Sequence, residues 1–268
     1  MARADATFEK EATMANPHGT HIWYELLTSD TDAAADFYGK VVGWTAAPFG
    51  GGTDENTDAY TIFSAGSEGV AGLMKNPMPT GPIWLGYVGV DDVDAAVAKL
   101  ESLGGTVHKP AWDTEGVGRM AFVADPQGVT FYVMKGTSPE DSTAFKPMAD
   151  GHCSWNELIT TDQDDALQFY NAMFGWEKAG AMPMPGMGDY TFISHGGEPI
   201  GAMMNKAAEM PAALWNYYFR VSGIDAAAER IKASGGQVIF GPHEVPGGDW
   251  VVNGIDPQGG FFGLVGSK

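Results

Sequence analysis

Two glutamates occupy matching frames of the chain. Glu25 sits in WYELLT (23–28) and Glu157 in WNELIT (155–160), 132 positions apart. A carboxylate turned inward from an apolar strand is costly to bury without a partner. Its recurrence in both frames points to chemistry: a general base, or a hydrogen-bond acceptor for a bound molecule, with a pKa raised by partial burial. The other reading is structural, a carboxylate that caps backbone amides or pairs with a cation such as Arg119 or Arg220.

The neighbours of these glutamates suit a binding cavity. Side chains alternate along a strand, so Trp23 and Trp155 share a face with Glu25 and Glu157 and would give each cavity an aromatic wall. Tyr87 and Tyr218, two residues beyond Leu85 and Asn216, extend those surfaces, with Arg220 next in the second half. Tyr132 joins only in the first half, because Gly263 stands at the matching position of the second. The candidate catalytic residues are therefore Glu25 and Glu157. The candidate ligand contacts are Trp23, Tyr87, Arg119, Tyr132, Trp155, Asn216, Tyr218 and Arg220. The first site is expected to be aromatic, the second more open and lined by Asn and Arg. Trp84 and Trp215 fall on the opposite face and should pack beneath helices.

Other reactive residues offer less. Cys153 is the single cysteine, which excludes an intrachain disulfide and suits a reducing compartment. A catalytic thiol needs a base beside it, and adjacent His152 should point to the opposite face. His21, Trp23 and Glu25 share a face by simple alternation, so His21 and Glu25 could hold a metal from one strand. His108, His195 and His243 stand alone in loop or edge segments. The segments FGGGTDEN (49–56) and MPMPGMGDY (182–190) lack the strand-to-helix context of a phosphate cradle and read as loops at a cavity mouth.

The elements that must position these residues repeat. IWYELLTSDTDAAADFYGKVVGW (22–44) matches SWNELITTDQDDALQFYNAMFGW (154–176), and DPQG recurs at 125–128 and 256–259. Two domains follow, at 20–136 and 151–268, with a tail at 1–19 expected to be frayed and a polar, proline-containing linker at 137–150. Within the first domain, a strand precedes a helix whose apolar face is Ala34, Phe37, Tyr38 and Val41, with Asp30 as N-cap. Strands are expected at 58–64, 69–75 and 83–90. A helix over 92–103 stops at Gly104-Gly105, and strands at 119–124 and 129–135 flank the DPQG turn. In the second domain the helix faces are Ala166, Phe169, Tyr170 and Met173, then Ile224, Ala227, Ala228 and Ile231.

Composition narrows the partners. The 268 residues carry a net charge of −19, a field that repels nucleic acid and anionic membranes. No apolar run approaches the ~18 residues of a membrane span, and residues 1–20 lack the apolar middle of a secretory signal. The expected location is cytoplasmic.

The strand–helix–strands module, paired within each half, resembles the vicinal oxygen chelate superfamily of glyoxalase I, bleomycin- and fosfomycin-resistance proteins and extradiol dioxygenases. The motif D-x-x-x-A-x-x-F-Y-x-x-x-x-G-W (30–44 and 162–176), VDDVDAA (90–96) with its downstream Gly-Gly, and DPQG before an apolar strand carry the resemblance. The tandem arrangement further resembles a group of actinobacterial two-domain glyoxalase-like proteins. The resemblance implies an α+β fold of two tandem domains, each a pair of βαβββ modules forming an open U-shaped mixed sheet around a cavity. Metal-dependent members hold a divalent ion with His or Glu from the first and last strands of each module. The corresponding positions here are Trp23, Leu85, Tyr132 and Gly72 or Met74, then Trp155, Asn216, Gly263 and an alanine or methionine of IGAMM (200–204). None suits such an ion, so no cofactor is expected. Two functions follow: sequestration of a small aromatic or hydrophobic molecule by a monomer or homodimer, as in bleomycin resistance, or a lyase-, isomerase- or oxygenase-type enzyme using Glu25 or Glu157.

Overall fold

A computed structural model describes residues 15–51, 60–78, 80–186 and 188–268. Most of the expected N-terminal tail (1–14) and most of the glycine-rich loop (52–56) lie outside these residues.

The first domain runs β1 (His21–Thr28), α1 (Thr31–Val41), β2 (Thr45–Pro48), β3 (Thr61–Ala65), β4 (Glu68–Lys75), β5 (Ile83–Gly89), α2 (Val93–Ser102), β6 (Thr106–Thr114), β7 (Gly118–Ala124) and β8 (Thr130–Gly136). The second repeats it as β9 (Cys153–Thr160), α3 (Gln163–Phe174), β10 (Glu177–Met184), β11 (Gly188–His195), β12 (Glu198–Asn205), β13 (Leu214–Val221), α4 (Ile224–Ala233), β14 (Gln237–Glu244), β15 (Trp250–Ile255) and β16 (Phe261–Gly266). Each domain forms one eight-stranded mixed sheet, ordered β2-β3-β4-β1-β5-β8-β7-β6 and β10-β11-β12-β9-β13-β16-β15-β14. The fold is α+β. The modules join where the first strands run antiparallel, β1 on β5 and β9 on β13. Among the described residues no helix is long and apolar enough to cross a membrane.

The helices form where the apolar period places them. Ala34, Phe37, Tyr38 and Val41 are all buried on α1, and Asp30 accepts the Ala33 amide at 3.0 Å as its cap. The strands without a clear sequence signal are β2, β6, β10 and β14, the sheet edges. Their residues are largely exposed, so no hydrophobic alternation marks them. The segment at 182–190, expected as a loop, belongs mostly to the β10–β11 hairpin.

The two sheets share one core on their helix-bearing faces. Tyr24 meets Tyr217 with ring centres 4.9 Å apart, and Trp44 meets Phe219 at 4.8 Å. Polar groups are threaded through this seam in matched pairs. Trp84 donates to the Tyr38 hydroxyl at 3.0 Å, and Tyr38 donates to Asp256 across the domains, also at 3.0 Å. Trp215 donates to Tyr170 at 3.1 Å, and Tyr170 to Asp125 at 3.1 Å. Each DPQG turn thus does more than reverse the chain. Its aspartate accepts two amides of its own turn through one oxygen and the partner domain's helix tyrosine through the other. The 137–150 segment is also fastened: Ala144 is fully buried, Ser142 donates to the Ile22 carbonyl, and Phe145 bridges to Cys153.

Candidate functional site

A cavity of about 960 Å³ opens on the face of the first sheet away from this seam. Its walls come from both arms of the sheet, with Tyr60 and Ile62 on one side and Trp112, Met120, Phe122 and Tyr132 on the other. The sheet therefore curls around the space. This volume lies at the upper end of the ~300–1,000 Å³ typical of small-molecule sites.

Glu25 stands in this cavity wall, 2% exposed, with Gly72 of β4 and Leu85 of β5 as its strand partners. The Tyr87 hydroxyl donates to its Oε2 at 3.0 Å. Its Oε1 is buried and has no hydrogen-bond partner among the described residues. Burial pushes the carboxyl up to about 7, with the Tyr87 and Tyr60 hydroxyls offsetting part of the rise. Neither Arg119 nor Arg220 is its counter-ion.

Around Glu25 the aromatic residues are organised. The Trp23 indole donates to the Tyr60 hydroxyl at 2.8 Å. That hydroxyl fills the place a β-carbon on Gly72 would need, so a larger residue there would displace it. Tyr87 stacks on Tyr132 with centroids 4.3 Å apart and planes 15° from parallel. At the rim, Lys109 rests 3.6 Å from the Trp112 ring centre. Two β-bulges along β6, between Val107 and Lys109 and between Lys109 and Trp112, break its alternation, and His108, Lys109 and Trp112 all line the cavity.

The second domain builds a tighter version. Glu157 accepts from Tyr190 at 2.8 Å through Oε2, and from Tyr218 at 3.1 Å and Asn216 at 3.4 Å through Oε1. Trp155 donates to Tyr190 at 2.9 Å, and Asn253 to Tyr218 at 3.1 Å. Burial raises Glu157 as it does Glu25. Opposite Tyr218, Gly263 leaves room that the tyrosine's own ring fills. Arg220 is held bidentately by Asp249 at 2.8 and 3.0 Å.

Thus Trp23, Glu25, Tyr87 and Tyr132 gather in one place, and Trp155, Glu157, Asn216 and Tyr218 in another. Arg119 does not join them. Met120 and Phe122 take the cavity-facing positions of β7, so Arg119 turns to the outer face and pairs with Asp94 at 2.8 Å and Asp113 at 2.9 Å. His21 also departs from expectation. A bulge between His21 and Trp23 breaks the alternation, and the imidazole stacks 5.0 Å from Trp176 in the seam. Burial there lowers its pKa to about 3. Tyr60 and Tyr190 are site residues the strand reasoning missed. Their signal was the shared Tyr-Thr at the start of β3 (60–61) and within β11 (190–191).

The donor set does not fit the metal the fold implies. Glu25 is accompanied by tyrosines whose pKa values burial raises well above the ordinary value, leaving neutral hydroxyls near neutral pH. Among the described residues no three His, Cys, Asp or Glu side chains gather around a common point. Cys153 is no more available: it is buried and its thiol is pushed up to about 12.

Comparison with known proteins agrees with the fold. The Glyoxalase/Bleomycin resistance protein/Dioxygenase superfamily matches residues 20–133 and 151–261. The chain is 34% identical over 257 residues to "Putative glyoxylase CFP32" of Mycobacterium tuberculosis (strain CDC 1551 / Oshkosh), covering 92% of this chain and 94% of that protein. It is 31% identical over 266 residues to "Anthracycline biosynthesis protein DnrV" of Streptomyces peucetius, covering 92% and 93%. Among solved structures, the Mn(II)-bound glyoxalase from Novosphingobium aromaticivorans superposes with a TM-score of 0.64 at 19% identity, covering 93% of this chain and 82% of that one. The 2,3-dioxygenase LapB from Pseudomonas sp. KL28 gives 0.63 at 15% identity, covering 95% and 93%. With its tandem modules, curled sheets and two matched regions, the chain belongs to the Glyoxalase/Bleomycin resistance protein/Dioxygenase superfamily.

Proposed function

We propose that this protein binds a small molecule with a flat aromatic or apolar body in the first-domain cavity, as a sequestration- or resistance-type protein working without the family metal. The carrying observation is the cavity itself, about 960 Å³ walled by Trp23, Tyr87, Trp112, Phe122 and Tyr132 around one buried carboxylate. Apolar walls with a few placed polar groups supply affinity through burial and orientation through hydrogen bonds. Relatives named for anthracycline biosynthesis are in keeping with a small-molecule ligand.

Glu25 favours a second reading, an enzyme of the lyase, isomerase or oxygenase type. A carboxyl near pH 7 in an apolar wall is suited to taking a proton from a bound molecule. Both readings use the same cavity, and turnover separates them.

Titration of tryptophan fluorescence with flat aromatic compounds, before and after exhaustive chelation, tests the proposal. Saturable quenching is expected, unchanged by chelation and abolished when Met120→Trp fills the cavity. Quenching that needs a divalent ion, or that survives in the folded Met120→Trp protein, would contradict it.

A further inference from the structure

We infer that the ligand presents a hydroxyl or N–H donor to Oε1 of Glu25, and that each chain takes one such molecule, in the first domain only. This deepens the reading of the first-domain cavity as a ligand site and rests on it.

The two buried carboxylates share a setting and differ in what meets them. Both lie on the first strand of their domain, follow a tryptophan by two residues and receive a tyrosine hydroxyl. Glu157 has both oxygens occupied by its own domain, through Tyr190, Tyr218 and Asn216. Glu25 takes the Tyr87 hydroxyl on Oε2 with the Tyr60 hydroxyl close by, and its Oε1 is buried beside the open cavity with no hydrogen-bond partner among the described residues. A buried acceptor is stabilised when a donor meets it, and a donor on a ligand that displaces the cavity's solvent would do so here. A donor arriving with the ligand completes the set.

The difference has an identifiable origin. Leu85 pairs with Glu25 where Asn216 pairs with Glu157, so the first domain lacks the amide donor the second uses. Tyr132 holds Tyr87 in a stack, whereas Gly263 lets the Tyr218 ring settle over the sheet. Asn253 then steadies the Tyr218 hydroxyl where Phe122 stands in the first domain. The second carboxylate has both oxygens met by its own side chains, although Oδ1 of Asn216 beside it is buried without a partner among the described residues, and the first carboxylate is left for a guest.

The ligand class follows from the walls and the vacant acceptor together. The walls select a planar aromatic body, and Oε1 selects a hydroxyl or N–H on its edge. An analogue with that hydrogen replaced by methyl keeps the stacking and loses the bond.

Binding of 1-hydroxypyrene and 1-methoxypyrene to the full chain at pH 7.5 tests this, read by fluorescence in wild type, Glu25→Gln and Glu157→Gln. The hydroxy compound is expected to bind at one site per chain and about tenfold more tightly than the methoxy compound. That ratio should fall toward one in Glu25→Gln and persist in Glu157→Gln. Equal affinity for both compounds in wild type would overturn the donor inference while leaving the aromatic site standing. So would loss of the ratio in Glu157→Gln with retention in Glu25→Gln, or two molecules per chain. Binding of neither compound would count against the aromatic-ligand reading as well.

Discussion

Tyr87 donates to Glu25 across 3.0 Å and stacks on Tyr132 with its other face, so one side chain joins the buried carboxylate to the aromatic wall. That link makes Glu25 part of the ligand surface as well as a buried acid, and its titration should be visible in stability.

Glu25 has a pKa of about 7 in the fold, against 4.5 for an unperturbed glutamate. The native state holds the proton more tightly than the unfolded chain. This contribution is therefore complete below about pH 4.5 and lost as pH rises through 7, a change of roughly 3 kcal/mol. Glu25→Gln cannot titrate. Its stability relative to wild type should improve by about that amount between pH 4.5 and 8 in urea unfolding, while the other raised acids cancel in the difference. A pH-independent difference would show that Glu25 titrates in the fold as it does in the unfolded chain.

The cross-domain tyrosines make a separate prediction. Tyr38→Phe removes the hydroxyl that reaches Asp256 and leaves Trp84 without its acceptor. Each such loss should cost about 1–3 kcal/mol, with Tyr170→Phe behaving alike. Because the domains share one core, wild type should unfold in a single transition by both fluorescence and circular dichroism. Two separated transitions would show that the seam is not cooperative.

Gly72→Ala tests the placement of Tyr60. The added β-carbon must displace the Tyr60 hydroxyl and break its bond from Trp23. Ligand affinity is expected to fall several-fold, and the Trp23 emission to shift, in a protein that remains folded by circular dichroism. Unchanged emission and affinity would mean that the hydroxyl is not seated over Gly72.

Cys153 should resist modification. Its thiol is buried with its pKa pushed up to about 12, so native protein is expected to leave Ellman's reagent unreacted at pH 8 and to release one equivalent in denaturant. Rapid reaction of the native protein would contradict this burial.

Much of the architecture was legible because repetition and apolar period are both sequence properties. The faces of α1 and α3 were readable from Phe37-Tyr38 and Phe169-Tyr170, and Trp84 and Trp215 pack beneath those helices as alternation requires. The exposed edge strands carried no such pattern. Alternation failed at His21, where a bulge inserts a residue and turns the imidazole into the seam. Arg119 was placed by charge, whereas its strand parity sends it outward to Asp94. The pairing of Tyr60 with Trp23, and the vacancy at Glu25 Oε1, depend on side chains meeting across strands, which spacing along one strand does not reveal.

A crystal structure of the protein with 1-hydroxypyrene bound tests the first-domain site most directly. One ligand is expected in the first-domain cavity, flat against its aromatic walls, with its hydroxyl within hydrogen-bond distance of Glu25 Oε1 and no counterpart at Glu157. A ligand seated in the second domain, or in the first with its hydroxyl turned away from Glu25, would contradict it.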